Sequence, residues 1–109
     1  MKERETMCDE SYNGWSNRET WAFVLHCDNT IGSDYVAELV SGRVLSGDSD
    51  YDLGDHLVDA VRDMWADDPS AEWVGLMRDD VGSVWRVDLR EVGKYAWGQF
   101  WSVCDDVIR

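Results

Sequence analysis

The tightest constraint on the fold lies between Leu53 and Trp65. Leu53, Leu57, Val58, Val61, Met64 and Trp65 recur at helical spacing, which puts all six on one face of an α-helix. A stripe of that width is stable only when other elements cover it. The helix must end at Asp67-Asp68-Pro69, because proline pushes the preceding residue out of the helical region.

The same spacing recurs along the chain. Trp21, Val24, Leu25 and Asp28 predict a helix from about Asn17 to Asp28. Val36, Leu39, Val40 and Val44 predict a second, from a Ser33 N-cap after a turn at 30–33 to about Leu45. Ser70 opens a further helix with Trp73, Val74, Met77, Val81 and Val84 on its face. Asp88-x-x-Glu91 has capping-box spacing and opens the last, with Leu89, Val92, Ala96, Phe100, Val103 and Val107 inside. Residues 84–87 also read as a short strand, but no segment is suited to pair with it. The expectation is an all-α, single-domain bundle of about five short helices. It spans residues 13–109 after a polar arm at 1–12, and 109 residues suffice for one core.

The stretch YNGWSNRETW, Tyr12 to Trp21, leads into the first helix. Ser16-x-x-Glu19 has the spacing of a capping box, with the Ser16 hydroxyl accepting from Glu19 N–H and the Glu19 carboxylate reaching back. Asn13-Gly14 supplies a turn, and Trp15 is placed to pack as a hydrophobic staple. Asn13 and Asn17 can bond local backbone groups. On this reading Trp15, Glu19 and Trp21 form a helix-initiating clasp rather than a ligand site.

Asn13-Gly14-Trp15-Ser16-Asn17-Arg18-Glu19-Thr20-Trp21, followed by Leu25, Asp28 and Asn29, resembles the NGW-(S/T)-N-x-ETW opening of a family of small uncharacterised phage and archaeal-virus proteins. Val87-Asp88-Leu89-Arg90-Glu91 resembles the start of that family's last helix. The resemblance implies a small helical protein from a mobile-element setting. It carries no catalytic residue with it.

Charge is the strongest global feature. Lys+Arg total 10 against 23 Asp+Glu, a formal net charge of −13. Such a surface repels nucleic acid and anionic membrane and steers basic proteins toward it. Asp52, Asp55, Asp59 and Asp63 form a stripe opposite Leu57 and Val61, extended by Asp67 and Asp68. Like charges at these steps cost an isolated helix some tenths of a kcal/mol each, and Arg62 alone relieves them. A halophilic or GC-rich host would also produce acidic, lysine-poor surfaces.

Other chemistries find little support. Asp48-x-Asp50-x-Asp52, with Asp59 at the twelfth position, starts like a calcium loop, but Leu53 stands where the turn needs glycine. The acids instead suit the N-terminus of a helix, so no metal is expected. His26, Cys27 and His56 lack zinc-site spacing. Cys8, Cys27 and Cys104 are an odd count without CxxC, which fits a reducing cytosol. Neither a nucleophile motif nor a phosphate loop is present, so neither an enzyme nor a cofactor is expected. No segment reads as a signal peptide or membrane span.

The expected function is therefore binding. A virus-encoded acidic protein would inhibit a host nucleic-acid-handling defence machine, of anti-CRISPR or anti-restriction type, by nucleic-acid mimicry. Asp52, Asp55, Asp59, Asp63, Asp67 and Asp68 would face a basic surface, with no direct nucleic acid. The alternative is a non-catalytic interaction module whose acidity reflects its host. Trp97 and Trp101, one turn apart, would then offer an apolar contact patch or simply widen a buried face.

Overall fold

A computed structural model describes residues 14–108, with side chains through residue 103. The polar arm, Asn13 and Cys8 lie outside the described residues, as do the side chains of Cys104 and Val107. The described chain is all-α. It runs α1 Arg18–His26, a π-turn Cys27–Gly32, α2 Ser33–Leu45, α3 Asp50–Asp67, α4 Glu72–Val81, a 3₁₀ turn Val84–Arg86 and α5 Leu89–Ile108.

The apolar faces bury most of the residues their spacing predicts, but Leu25 of α1 is exposed and Leu39, Met64 and Trp73 are only partly buried. Leu53, Leu57, Val58, Val61 and Trp65 of α3 are buried, as are Val92, Ala96 and Phe100 of α5. α5 packs along both α3 and α2, while α1 packs on α4. Phe23 of α1 and Cys27 of the π-turn are fully buried and join the same core. Trp65 is buried too, but its indole N–H has no hydrogen-bond partner. Trp65→Phe should therefore cost less than about 1 kcal/mol, because it removes an unsatisfied donor while keeping most of the ring. Chemical denaturation would read this.

Two glycines set the α3–α5 spacing. Gly54 lies against the Leu89 carbonyl and Gly93 N, and Gly93 lies against the Asp50 backbone. A Cβ at either position would overlap the facing backbone, so the helices meet main chain to main chain. This crossing places the start of α5 beside the first turns of α3.

Several boundaries differ from expectation. α1 ends at His26, not Asp28, and the chain widens into a π-turn. That turn keeps Cys27 inside while Asp28, Asn29 and Thr30 face solvent. Gly32, at φ 101°, is the N-cap of α2, and Ser33 is its first residue. Such a φ suits glycine and strains other residues. Ala71, not Ser70, precedes α4. Val84 leaves the α4 face, because α4 ends at Val81, and the strand option at 84–87 is a 3₁₀ turn.

Candidate functional site

The opening motif splits into two sets of side chains. Its polar residues form a clasp onto the start of α5. Asn17, not Ser16, is the N-cap of α1: its Oδ1 accepts from Thr20 N at 2.8 Å and from Thr20 Oγ1 at 2.7 Å. The Thr20 hydroxyl accepts in turn from Asp88 N at 2.8 Å, and Asn17 Nδ2 donates to Arg86 O at 2.8 Å. Ser16 donates through N and Oγ to Glu91 Oε1, at 3.0 and 2.9 Å. The expected Ser16–Glu19 box is absent, since Ser16 is bound across the fold.

The second expected box is half formed. Asp88 Oδ1 accepts from Arg90 N and Glu91 N at 3.0 and 3.1 Å, capping α5. The Glu91 carboxylate turns to Ser16 rather than to Asp88 N, which Thr20 serves instead. The two sequence motifs thus complete each other's caps. Among the described residues, the Glu19 carboxylate meets only Arg86, at 3.8 Å, with the arginine largely exposed. Glu19→Ala should therefore shift stability by less than about 1 kcal/mol in a melting experiment.

The motif's rings point elsewhere. Trp15 and Trp21 pack partly buried against the core. Together with Val24, Leu25, Asp28, Tyr95 and Gln99 they line a pocket of about 250 Å³ between α1 and α5.

The acidic stripe is exposed throughout. Asp52, Asp55, Asp59 and Asp63 step along α3, Asp67 ends it and Asp68 is its C-cap. Among the described residues, the ion pairs are His26–Asp80, Arg43–Asp48 and Arg86–Glu19, and none includes a stripe carboxylate. The Asp68 carboxylate accepts from Ser70 Oγ, at 3.5 Å. Asp55 and Asp59, with Arg62 and Tyr51, form one wall of a groove of about 450 Å³. Val84, Trp85, Val87 and Leu89 form the other. Trp85 is 82% exposed, the most exposed large apolar side chain described. Tyr51 is half exposed, and the Arg90 guanidinium lies 5.9 Å from its ring centre. Neither ring was singled out by sequence periodicity, because Trp85 sits in a turn and Tyr51 lies off the apolar face of α3.

The remaining candidates have local roles. His26 Nε2 pairs with Asp80 at 2.7 Å and its Nδ1 meets Thr30 Oγ1 at 3.2 Å, joining α1 to α4. His56 Nε2 donates to Leu39 O at 3.0 Å. Asp48 bonds Arg43, and Asp50 and Asp52 already belong to α3. Among the described residues, no three acids, histidines or cysteines converge as a metal cluster. Trp97 and Trp101 are each about half exposed, with ring centres 5.8 Å apart. No described helix is long and apolar enough to cross a membrane.

A family model described as a family of unknown function, DUF7249, matches residues 8–104. The chain belongs to this family. The match takes in the opening motif, the stripe and the start of α5, so the clasp and the acidic helix both lie inside the family's boundaries. Neither a curated protein nor a solved structure matches the chain significantly.

Burial also governs the two strongly shifted groups. Desolvation, then the charge of Asp28, pushes the Cys27 thiol well above its ordinary range. The Tyr95 hydroxyl is likewise raised, by burial first and then by Cys27 and Asp28. Both groups are neutral when folded. Their stabilisation is complete below the unfolded pKa values, about 8.5 and 10, and is lost as pH rises above them. Melting temperature should therefore fall steadily above about pH 9. Alkylation mapped by mass spectrometry should leave Cys27 unmodified until the protein is denatured.

Proposed function

We propose that the protein binds the basic, phosphate-reading surface of a host nucleic-acid-handling complex and blocks it, as an inhibitor of anti-CRISPR or anti-restriction type. The observation that carries this reading is the row of exposed carboxylates on α3, none of them held by an ion pair among the described residues. Carboxylates outside any ion pair can pair with Arg and Lys that otherwise hold phosphates, and such charge-assisted bonds are short and strong. The stripe is sparser than duplex DNA, which carries one charge per ~1.7 Å of axis. The groove beside it supplies what charge alone does not, an exposed Trp85 on which a guanidinium can stack.

The test is capture from host lysate at rising salt. The proposal expects a nucleic-acid-handling complex that is released as salt rises, since the Debye length is only about 8 Å at physiological ionic strength. One specific observation favours a second reading, a neutral interaction module: the half-exposed Trp97–Trp101 pair. A partner that is held at high salt and lost with Trp97→Ala would establish that reading instead.

A further inference from the structure

We propose that the pocket between α1 and α5 is a binding site for a guanidinium group, the head of an arginine side chain. It shares no residue with the α3 stripe, so it stands or falls apart from the function proposed above.

Three features of the pocket select the ligand class. Its walls are aromatic: Trp15 and Trp21 come from the opening motif and Tyr95 from α5. Trp and Tyr faces attract cations, and a planar guanidinium stacks on them as an ammonium does not. Its charge is negative: Asp28 lines it and belongs to no ion pair among the described residues. The adjoining recess shares Trp15 and Tyr95 and adds Glu91 and Lys94, whose opposite charges offset each other. The third feature is a placed acceptor. The Tyr95 hydroxyl is shielded from solvent and lies close enough to Asp28 for that carboxylate to raise its pKa, so it belongs to the wall behind Asp28 and not to the surface a ligand meets. A guanidinium carries several N–H donors in a fixed fork, which match both oxygens of a carboxylate. A quaternary ammonium has the charge but no donor. An anionic ligand, nucleotides included, meets the wrong charge, and a neutral ring leaves the Asp28 carboxylate without a counter-charge.

The π-turn is what builds the site. The helix widens after Cys27, and Asp28, the second residue of the turn, is exposed and lines the pocket while Cys27 stays inside. The opening motif is thereby used twice: Ser16, Asn17 and Thr20 hold α5, while Trp15 and Trp21 flank the pocket.

The experiment titrates the full chain with N-acetyl-arginine amide and follows the indole N–H resonances, assigned with Trp15→Phe and Trp21→Phe. Tetramethylammonium chloride and sodium chloride at matched ionic strength are run alongside. The proposal expects saturable shifts at the Trp15 and Trp21 indoles with the arginine probe and clearly weaker binding of tetramethylammonium. Asp28→Asn should weaken the arginine probe about tenfold, the size expected for losing one charged hydrogen bond. Asp34→Asn on α2, outside both the pocket and the stripe, should leave it unchanged, and the amide spectrum of each variant reports whether the fold is intact. Shifts that never saturate, or that sodium chloride reproduces, overturn the site. Equal binding of tetramethylammonium overturns the assignment to guanidinium. Unchanged affinity in a folded Asp28→Asn variant overturns the role of the carboxylate and with it the proposal.

Discussion

Gly54→Ala or Gly93→Ala should destabilise the protein by about 3 kcal/mol or more, enough to leave much of a marginal domain unfolded. At both positions the added methyl meets facing backbone, which cannot rotate away as a side chain could. The only relief is to push α3 and α5 apart, and that opens the largest helix contact in the core. Gly75→Ala and Gly98→Ala are the controls. Both positions are helical and exposed, with open space around them. Alanine there should stabilise by up to about 1 kcal/mol, as helix propensity dictates. Denaturation midpoints of the four variants separate the two classes. Similar stability in all four would mean that α3 and α5 do not cross at these glycines.

Thr20→Val should cost about 2–3 kcal/mol while keeping the shape of the side chain. Thr20 is fully buried, and its hydroxyl both donates to Asn17 Oδ1 and accepts from Asp88 N. The methyl that replaces it leaves the Asp88 N–H without its partner and removes one of the two hydrogen bonds to Asn17 Oδ1, the backbone one remaining, and an orphaned buried polar group carries its whole desolvation cost. Thr20→Ser retains the hydroxyl and should lose only about 1 kcal/mol, the value of a buried methyl. Equal losses for Val and Ser would show that packing, not the clasp, is what Thr20 supplies.

These two predictions mark where sequence and structure part. The faces of α3 and α5 were legible because burial on one side leaves a period of 3.6 in the apolar residues, and the stripe was legible by the same spacing. The glycine crossing was not. It needs one small residue per helix, and a single glycine makes no pattern. The first cap was misread by one residue because Ser16 and Asn17 are both good cap formers. What decides between them is Glu91, 75 residues away, which takes the Ser16 N–H and hydroxyl and leaves Asn17 to cap. Local chemistry alone cannot rank two adjacent caps when a distant carboxylate holds one of them. Trp85 was missed for a related reason, since its prominence comes from a 3₁₀ turn that periodicity does not report.

The central functional claim is that the α3 carboxylates are the contact surface. It is tested most directly by measuring binding of the captured partner to Asp55→Asn/Asp59→Asn against a control pair, Asp34→Asn/Glu38→Gln, which are exposed acids on α2. Each pair removes the same charge and nearly preserves size. The account predicts that the α3 pair keeps the fold and binds about tenfold more weakly or worse, with a flatter salt dependence, while the α2 pair loses little. Equal small losses in both pairs, or binding that neither charge removal nor salt alters, would contradict it.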